Sequence, residues 1–399
     1  MTTDTILRNA RIVLADEVVH GSVRMIDGVI VDIVPSDSAL DDQLGAGPAA
    51  GEDMRGDYLM PGLVELHTDQ VEGHFQPRPK RCWDPIPAVI AHDAQMTASG
   101  MTTVLDALRI GAGPGEGVIA EQAGTLVDAI VHAADAGLLR ADHLVHLRCE
   151  VSTHDVLEVF DRIGGHERVR LVSLMDHTPG QRQYADVEAF RTYMVGKHAF
   201  SDEQFTAHVA ELHERSDRYA DAHRSEMARR AAARGITMAA HDDATVAHVT
   251  ESQDLGVRIS EFPTTLEAAR AAREAGQLVV MGAPNIVRGG SHSGNVAALE
   301  LLRHGLLDIL SSDYVPASPL QAVFALVGQG EITVPQGAAL VSGNPARAIG
   351  LDDRGVLEVG RRADIVRVHV QEMPAVAHHP SGAPVPVVRG VWREGVRVA

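Results

Sequence analysis

The sequence predicts an α/β fold, a (β/α)8 TIM-type barrel with a small β-sandwich formed by both chain ends. Three observations carry the prediction. Strand-length apolar runs alternate with helical stretches through the middle of the chain, short β-rich runs occupy both ends, and imidazoles and carboxylates gather where the middle strands stop. A chain of 399 residues exceeds what one simple core supports, so a large barrel with an appendage is the expected solution.

Residues 5–34 hold three β-rich runs, TILRNARIVL, VVHGSVRMID and VIVDIV, separated by Gly and Asp turn signals. A loop rich in Gly, Ala and Asp follows, and YLMPGLVELH opens the first barrel strand. Seven further strand candidates complete a count of eight: TTVLDAL (102–108), HLVHLRCE (143–150), VRLVSLMDH (169–177), ITMAAHDD (236–243), VRISEFP (257–263), QLVVMGAPN (277–285) and LLDILSSD (306–313). The clearest helix between them starts at DEQFTAHVAEL and stops at Gly235. From about Asn344 the chain returns to short β runs. The expected division is therefore residues 1–57 with 345–399 as the β-sandwich domain, and 58–344 as the barrel.

Composition excludes several functions. A net charge of −19 offers no extended positive field for nucleic acid or an anionic membrane surface. No apolar run approaches the roughly 20 residues that span a bilayer. Cys82 and Cys149 cannot form a disulfide framework, and MTTDTILRNARIVLAD lacks a signal-peptide layout, so a cytoplasmic protein is expected. Oligomeric state is left open, a homo-oligomer included.

In such barrels the active site lies at the C-terminal ends of the strands. There the first strand offers His67 and Asp69, the third Glu150, the fourth Asp176 and His177, the fifth His241 with Asp242 and Asp243, and the last Asp313. A single strand-end His or Asp is more often a cap or turn residue. The joint placement on five strand ends is what points to a divalent metal centre, since zinc, iron and manganese accept this donor set.

MPGLVELHTD, NPARAIGLDDRGVLEVGRRADIV and the split β-rich ends resemble the amidohydrolase superfamily of metal-dependent hydrolases. More narrowly, LVELHTDQVEGHFQPRP, HLRCEVSTHD, LVSLMDHTPGQRQY and SSDYVPAS resemble the PhnM family, the triphosphate hydrolases of phosphonate breakdown. The aspartate of HTD departs from the superfamily's HxH and matches this family. The superfamily often bridges its metals with a carboxylated lysine, but Lys80 and Lys197, the two lysines present, close no barrel strand, so Glu150 is the better bridge. The resemblance implies a centre of about two divalent ions (Zn, Mn or Fe), with His67, Asp69, Glu150, His177, His241 and Asp313 as ligands; Asp176 stands as the alternative to His177. The superfamily takes its two later histidines from the fifth and sixth strands, whereas here they fall on the fourth and fifth.

The resemblance implies cleavage of the triphosphate of α-D-ribose 1-methylphosphonate 5-triphosphate to the 5-phosphate and pyrophosphate. Asp313 would orient the attacking water and take its proton. So anionic a phosphorylated small molecule needs local cations. Candidates are Arg78, Lys80, Arg109, Arg182 and Arg288, with His292 beside Arg288 in the Gly-rich segment NIVRGGSHSGN. The alternatives are an amidohydrolase acting on a C–N bond, of the cyclic-amide or N-acetyl-sugar deacetylase type, and a non-catalytic barrel with a broken metal site.

Overall fold

The computed structural model describes residues 3–36, 51–79, 81–112, 122–180, 182, 191, 201–291, 294–376 and 381–399. The N-terminal segment forms β1 (Asp4–Val13), β2 (Val18–Ile26), β3 (Val29–Pro35), β4 (Glu52–Asp53) and β5 (Tyr58–Pro61). The barrel follows as β6 (Leu63–Thr68), β7 (Met101–Ile110), β8 (Asp142–Glu150), β9 (Val169–Met175), β10 (Thr237–His241), β11 (Ile259–Glu261), β12 (Leu278–Gly282) and β13 (Ile309–Ser311). The chain ends in β14 (Ile365–Gln371), β15 (Val385–Arg393) and β16 (Val396–Arg397).

Two eight-stranded sheets result, one from both chain ends in the order β16-β15-β14-β5-β1-β2-β3 with β4 against β1, the other running β6 to β13 in sequence order. All pairs in the second sheet are parallel, and a parallel bridge between Thr68 and Asp313 joins its last strand to its first. The eight expected barrel strands are thus present. β6 is buried at every position, as a parallel strand covered on both faces must be, whereas β1 mixes exposed and buried residues.

The stretch YLMPGLVELH divides between the sheets. Tyr58–Pro61 pairs with β1 and β14, and the barrel begins only at Leu63. Gly62 makes the crossing possible, because a Cβ there would collide with the Thr102 side chain. The expected long helix spans Asp202–Ala233, opened by a capping box of Ser201 with Gln204 and followed by Gly235 at φ 67°.

Strand interiors pack Val64, Leu66, Leu105, Leu171, Ala239, Ile259, Val280 and Ile309 into one cluster, with Ala346 and Ile349 joining it. The barrel is filled rather than hollow, which leaves the C-terminal ends of the strands as the place for chemistry.

Candidate metal centre and catalytic cavity

Alternate residues of a strand share a face, so Leu144, His146, Arg148 and Glu150 of β8 form one row, apolar at its start and charged toward the C-terminal end. The neighbouring strands change in the same sense. Leu171 is followed by Ser173, Ala239 by His241, Ile259 by Glu261 and Ile309 by Ser311 and Asp313.

Glu261 is the hub of this polar layer. Its carboxylate accepts from His67 Nδ1 at 2.7 Å, His241 Nδ1 at 2.8 Å and Ser173 Oγ at 2.7 Å. Burial opposes its charge, but the imidazoles of His67 and His146 and these hydrogen bonds hold its carboxyl well below the usual range. Burial likewise works against a proton on His67, and the attraction of Glu261 outweighs it, raising that imidazole. His146, fully buried against Leu66 O and Ser173 Oγ, is pushed down to about 3 and stays neutral. With Nδ1 of both His67 and His241 committed to Glu261, each ring has Nε2 left for a ligand, the arrangement in which an outer carboxylate orients a metal-binding imidazole.

Around these rings lies a cavity of about 380 Å³ lined by His67, Asp69, Arg148, His241, Asp242, Arg288, Asp313 and Tyr314, among others. Four of the expected ligands, His67, Asp69, His241 and Asp313, therefore share one space. Glu150 and His177 form a pair beside it. His177 donates to Glu150 from Nδ1 at 2.5 Å and from its backbone at 3.1 Å, and its ring centroid lies 5.9 Å from that of His241. Burial opposes the Glu150 charge, while His177 and Arg109 hold its carboxyl well below the usual range. Asp176 faces away, accepting from Ser216 Oγ at 3.0 Å and Thr178 N at 3.1 Å. His177 follows the fourth barrel strand and His241 closes the fifth, as counted from the sequence, and the sixth contributes Glu261.

The donor set fits a divalent ion. Ligand atoms of His177, His241 and Asp242 lie within 4.8 Å of one another, and Asp242 Oδ2 is buried, 3.3 Å from His241 Nε2, with no hydrogen bond among the described residues. Burial pushes the Asp242 carboxyl up to about 6. A buried carboxylate oxygen without a donor is costly unless a cation completes it. Three backbone turns at this rim are left-handed in non-glycine residues, Asp242 at φ 60°, Phe262 at 55° and Asp313 at 53°. Strain of this kind concentrates where side chains must be aimed.

The expected cations separate. Arg288 lines the cavity, with Nη1 3.2 Å from Tyr314 Oη. Arg109 holds Glu150 at 2.9 Å. Arg182, expected to meet substrate, is instead buried in ion pairs with Asp243 and Glu251, and these carboxylates draw it off the cavity wall. Arg78 is exposed in a turn bridged to Arg81, outside the cavity lining. Lys80 and His292 lie outside the described residues. Sequence reading passed over Glu261 and Arg148. The carboxylate closing ISE was the available signal for the first, and its alternation with Glu150 for the second.

An eight-stranded parallel barrel whose rim gathers imidazoles and carboxylates is the architecture of metal-dependent hydrolases of the amidohydrolase type. The model of the amidohydrolase family matches residues 127–399. Over 395 residues the chain is 46% identical to the α-D-ribose 1-methylphosphonate 5-triphosphate diphosphatase of Escherichia coli (strain K12), covering 98% of this chain and 100% of that one. The chain belongs to the amidohydrolase family and, within it, to the family of that diphosphatase. Among solved structures, dihydropyrimidinase from Brevibacillus agri NCHU1002 matches 99% of this chain and 95% of its own at TM-score 0.62 and 15% identity. N-acetylglucosamine-6-phosphate deacetylase from Pasteurella multocida matches 99% of each chain at TM-score 0.60 and 12% identity. These two likenesses concern the fold. Among the described residues no helix is long and apolar enough to cross a membrane.

Proposed function

We propose that this chain hydrolyses α-D-ribose 1-methylphosphonate 5-triphosphate to the 5-phosphate and pyrophosphate. The observation that carries the reading is the 46% identity, end to end, with a diphosphatase of that substrate. The cavity supports it. His67, Asp69, His241 and Asp313 meet there with Arg148 and Arg288, which supplies both a metal donor set and cations for a polyanion in a chain of net charge −19.

His67, Asp69, Glu150, His177, His241 and Asp313 would hold two divalent ions, with Asp242 in reach of the same centre. An aspartate in place of the superfamily's second histidine adds a hard oxygen donor, which favours manganese or iron relative to zinc. When bound, the ions supply Lewis acidity to a water and to phosphoryl oxygens, so that the water ionises near neutral pH.

The chain's own residues do the rest. Asp313 orients the attacking water and takes its proton. Its backbone N–H donates to His67 O at 3.0 Å, which fixes it against the first strand, and Gly282 leaves room for its carboxylate, since a Cβ there would lie 3.2 Å from Oδ2. Glu261 keeps His67 and His241 in one tautomer and orientation. Arg288, with Tyr314, meets the phosphate tail at the cavity mouth. Phosphoryl transfer of this kind asks for alignment and charge neutralisation more than for covalent help. A C–N bond substrate has weaker support, fold-level likeness at 12–15% identity. A sugar triphosphate does not cross membranes, which favours a cytoplasmic location.

The test is phosphorus NMR of the purified protein, with its metals counted by mass spectrometry. Metal-dependent appearance of pyrophosphate is expected. An intact triphosphate in the presence of a fully metal-loaded protein would overturn the reading.

A further inference from the structure

We propose that Arg148 is a catalytic residue, binding the non-bridging oxygens of the phosphoryl group under attack. This rests on the phosphohydrolase reading above. Arg148 projects from β8, the third barrel strand, two positions before Glu150, and its side chain lines the same cavity as His67, His241 and Asp313. The other arginines nearby have employment. Arg109 is bound to Glu150, Arg182 to Asp243 and Glu251, and Arg288 sits at the mouth beside Tyr314.

Arg148 differs from all of these. Its Nε is buried and meets no acceptor among the described residues. Glu72 and Asp242 lie near enough to feel its charge, yet Glu72 Oε1 and Asp242 Oδ2 are themselves buried without a hydrogen bond among the described residues, so neither oxygen takes the Nε hydrogen. A guanidinium in a cavity wall with an unmet donor is costly to keep unless an anion completes it. Its planar fork suits two oxygens of one phosphoryl group, and such oxygens carry the negative charge in the transition state. Asp69, Asp242 and Asp313 line the same cavity, so a polyanion entering it gains from a fixed cation in the wall in addition to bound ions.

The experiment uses the metal-loaded full chain and the variants Arg148→Met and Arg148→Lys, with metal content and circular dichroism as controls. Pyrophosphate binding is read by calorimetry, and turnover of the ribosyl methylphosphonate triphosphate by phosphorus NMR with and without guanidinium chloride. For Arg148→Met the expected loss is roughly 10- to 100-fold in pyrophosphate affinity and about 10²- to 10³-fold in kcat, the latter partly restored by free guanidinium. Arg148→Lys should fall between, since it keeps the charge and loses the fork. If Arg148→Met does not fold, Arg148→Lys decides, and wild-type kcat and affinity there would overturn the proposal. Wild-type kcat and affinity in Arg148→Met, with guanidinium inert, would overturn it directly. A wild-type protein that leaves the triphosphate intact defeats the phosphohydrolase reading instead. Pyrophosphate titration then settles Arg148 alone: weaker binding in the variant upholds an anion-binding role, and equal or absent binding removes it.

Discussion

Glu261→Gln isolates the role of the buried hub, because it changes one atom and keeps the volume. In the wild type, Oε1 accepts from His67 Nδ1, while Oε2 accepts from both His241 Nδ1 and Ser173 Oγ. The glutamine amide nitrogen settles best in the Oε2 position, where Ser173 Oγ can accept one of its hydrogens and donate its own to His146. There the amide also faces His241 Nδ1, which must now accept. The His241 proton moves to Nε2, and the lone pair that would bind metal is lost. His67 keeps its acceptor and its tautomer. Loss of an outer-shell partner of a metal-binding histidine costs 10- to 100-fold in affinity, or about 1.4–2.7 kcal/mol. The assay is metal competition against a chelator, followed by turnover at saturating metal. The variant should need about 10- to 100-fold more free metal for half-activation while circular dichroism stays unchanged. Half-activation at the wild-type metal concentration, with equal kcat, would refute the assignment of Glu261 as the group that sets these tautomers.

Asp313→Asn keeps the shape and removes the proton acceptor, so kcat should fall about 10²- to 10⁴-fold, measured by pyrophosphate release; retention of most activity would remove Asp313 from the mechanism. Dialysis against a chelator should abolish turnover and lower Tm, with both restored by manganese, iron or zinc; full activity in metal-free protein would contradict the centre. A fourth prediction concerns pH and the buried network outside the catalytic cavity, where Asp106 accepts from His92 at 2.7 Å and from His143 at 2.8 Å. Burial alone would depress His143, but Asp106 and Asp93 hold it up at about 9 against an ordinary 6.5. A group raised in the folded state contributes stability that is complete below its unfolded value and is lost as pH climbs through the folded one. Denaturant unfolding should therefore show stability declining between pH 6.5 and 9 by an amount on the order of 3 kcal/mol. His143→Gln should flatten the decline, and an equally steep fall in that variant would assign it elsewhere.

Much of this architecture was legible because each barrel strand is marked at both limits. Runs such as TTVLDAL and HLVHLRCE are apolar enough to be recognised as covered on both faces, and each stops at a polar or Gly-containing turn. His67, Asp69, Glu150, His177, His241 and Asp313 stand at those stops, so their shared placement could be inferred from one rule about barrels. Glu261 could not be singled out in the same way. Its strand is three residues long, and the histidines it serves lie 20 and 194 positions away, so its place at the close of ISE marks a strand end without showing which side chains it orients. Arg182 misled for the converse reason. It follows a Pro-Gly turn that looks like a substrate loop, while the carboxylates that bind it, Asp243 and Glu251, come from 61 and 69 positions further on. Burial and partner choice are tertiary facts, and a lone sequence records them only through alternation and strand ends.

The barrel rim shows why closure and chemistry occur together. Asp242 N donates to Glu261 O at 2.9 Å, Phe262 N to Val280 O at 2.9 Å and Asp313 N to His67 O at 3.0 Å. Each of these left-handed residues extends the ladder to the next strand by one bond just past the end of its own strand, and the last of them links β13 back to β6. Glu65 reinforces that seam, its carboxylate accepting from His67 N and from Ser312 N at 2.7 Å each. Left-handed backbone in a non-glycine residue costs about 1–3 kcal/mol, and the hydrogen bonds that close the cylinder offset it. The same turn that completes the ladder aims the Asp242 and Asp313 side chains into the cavity. A barrel that closed with relaxed, extended residues at these points would send the chain onward along the strand axis and carry both carboxylates away from His67 and His241.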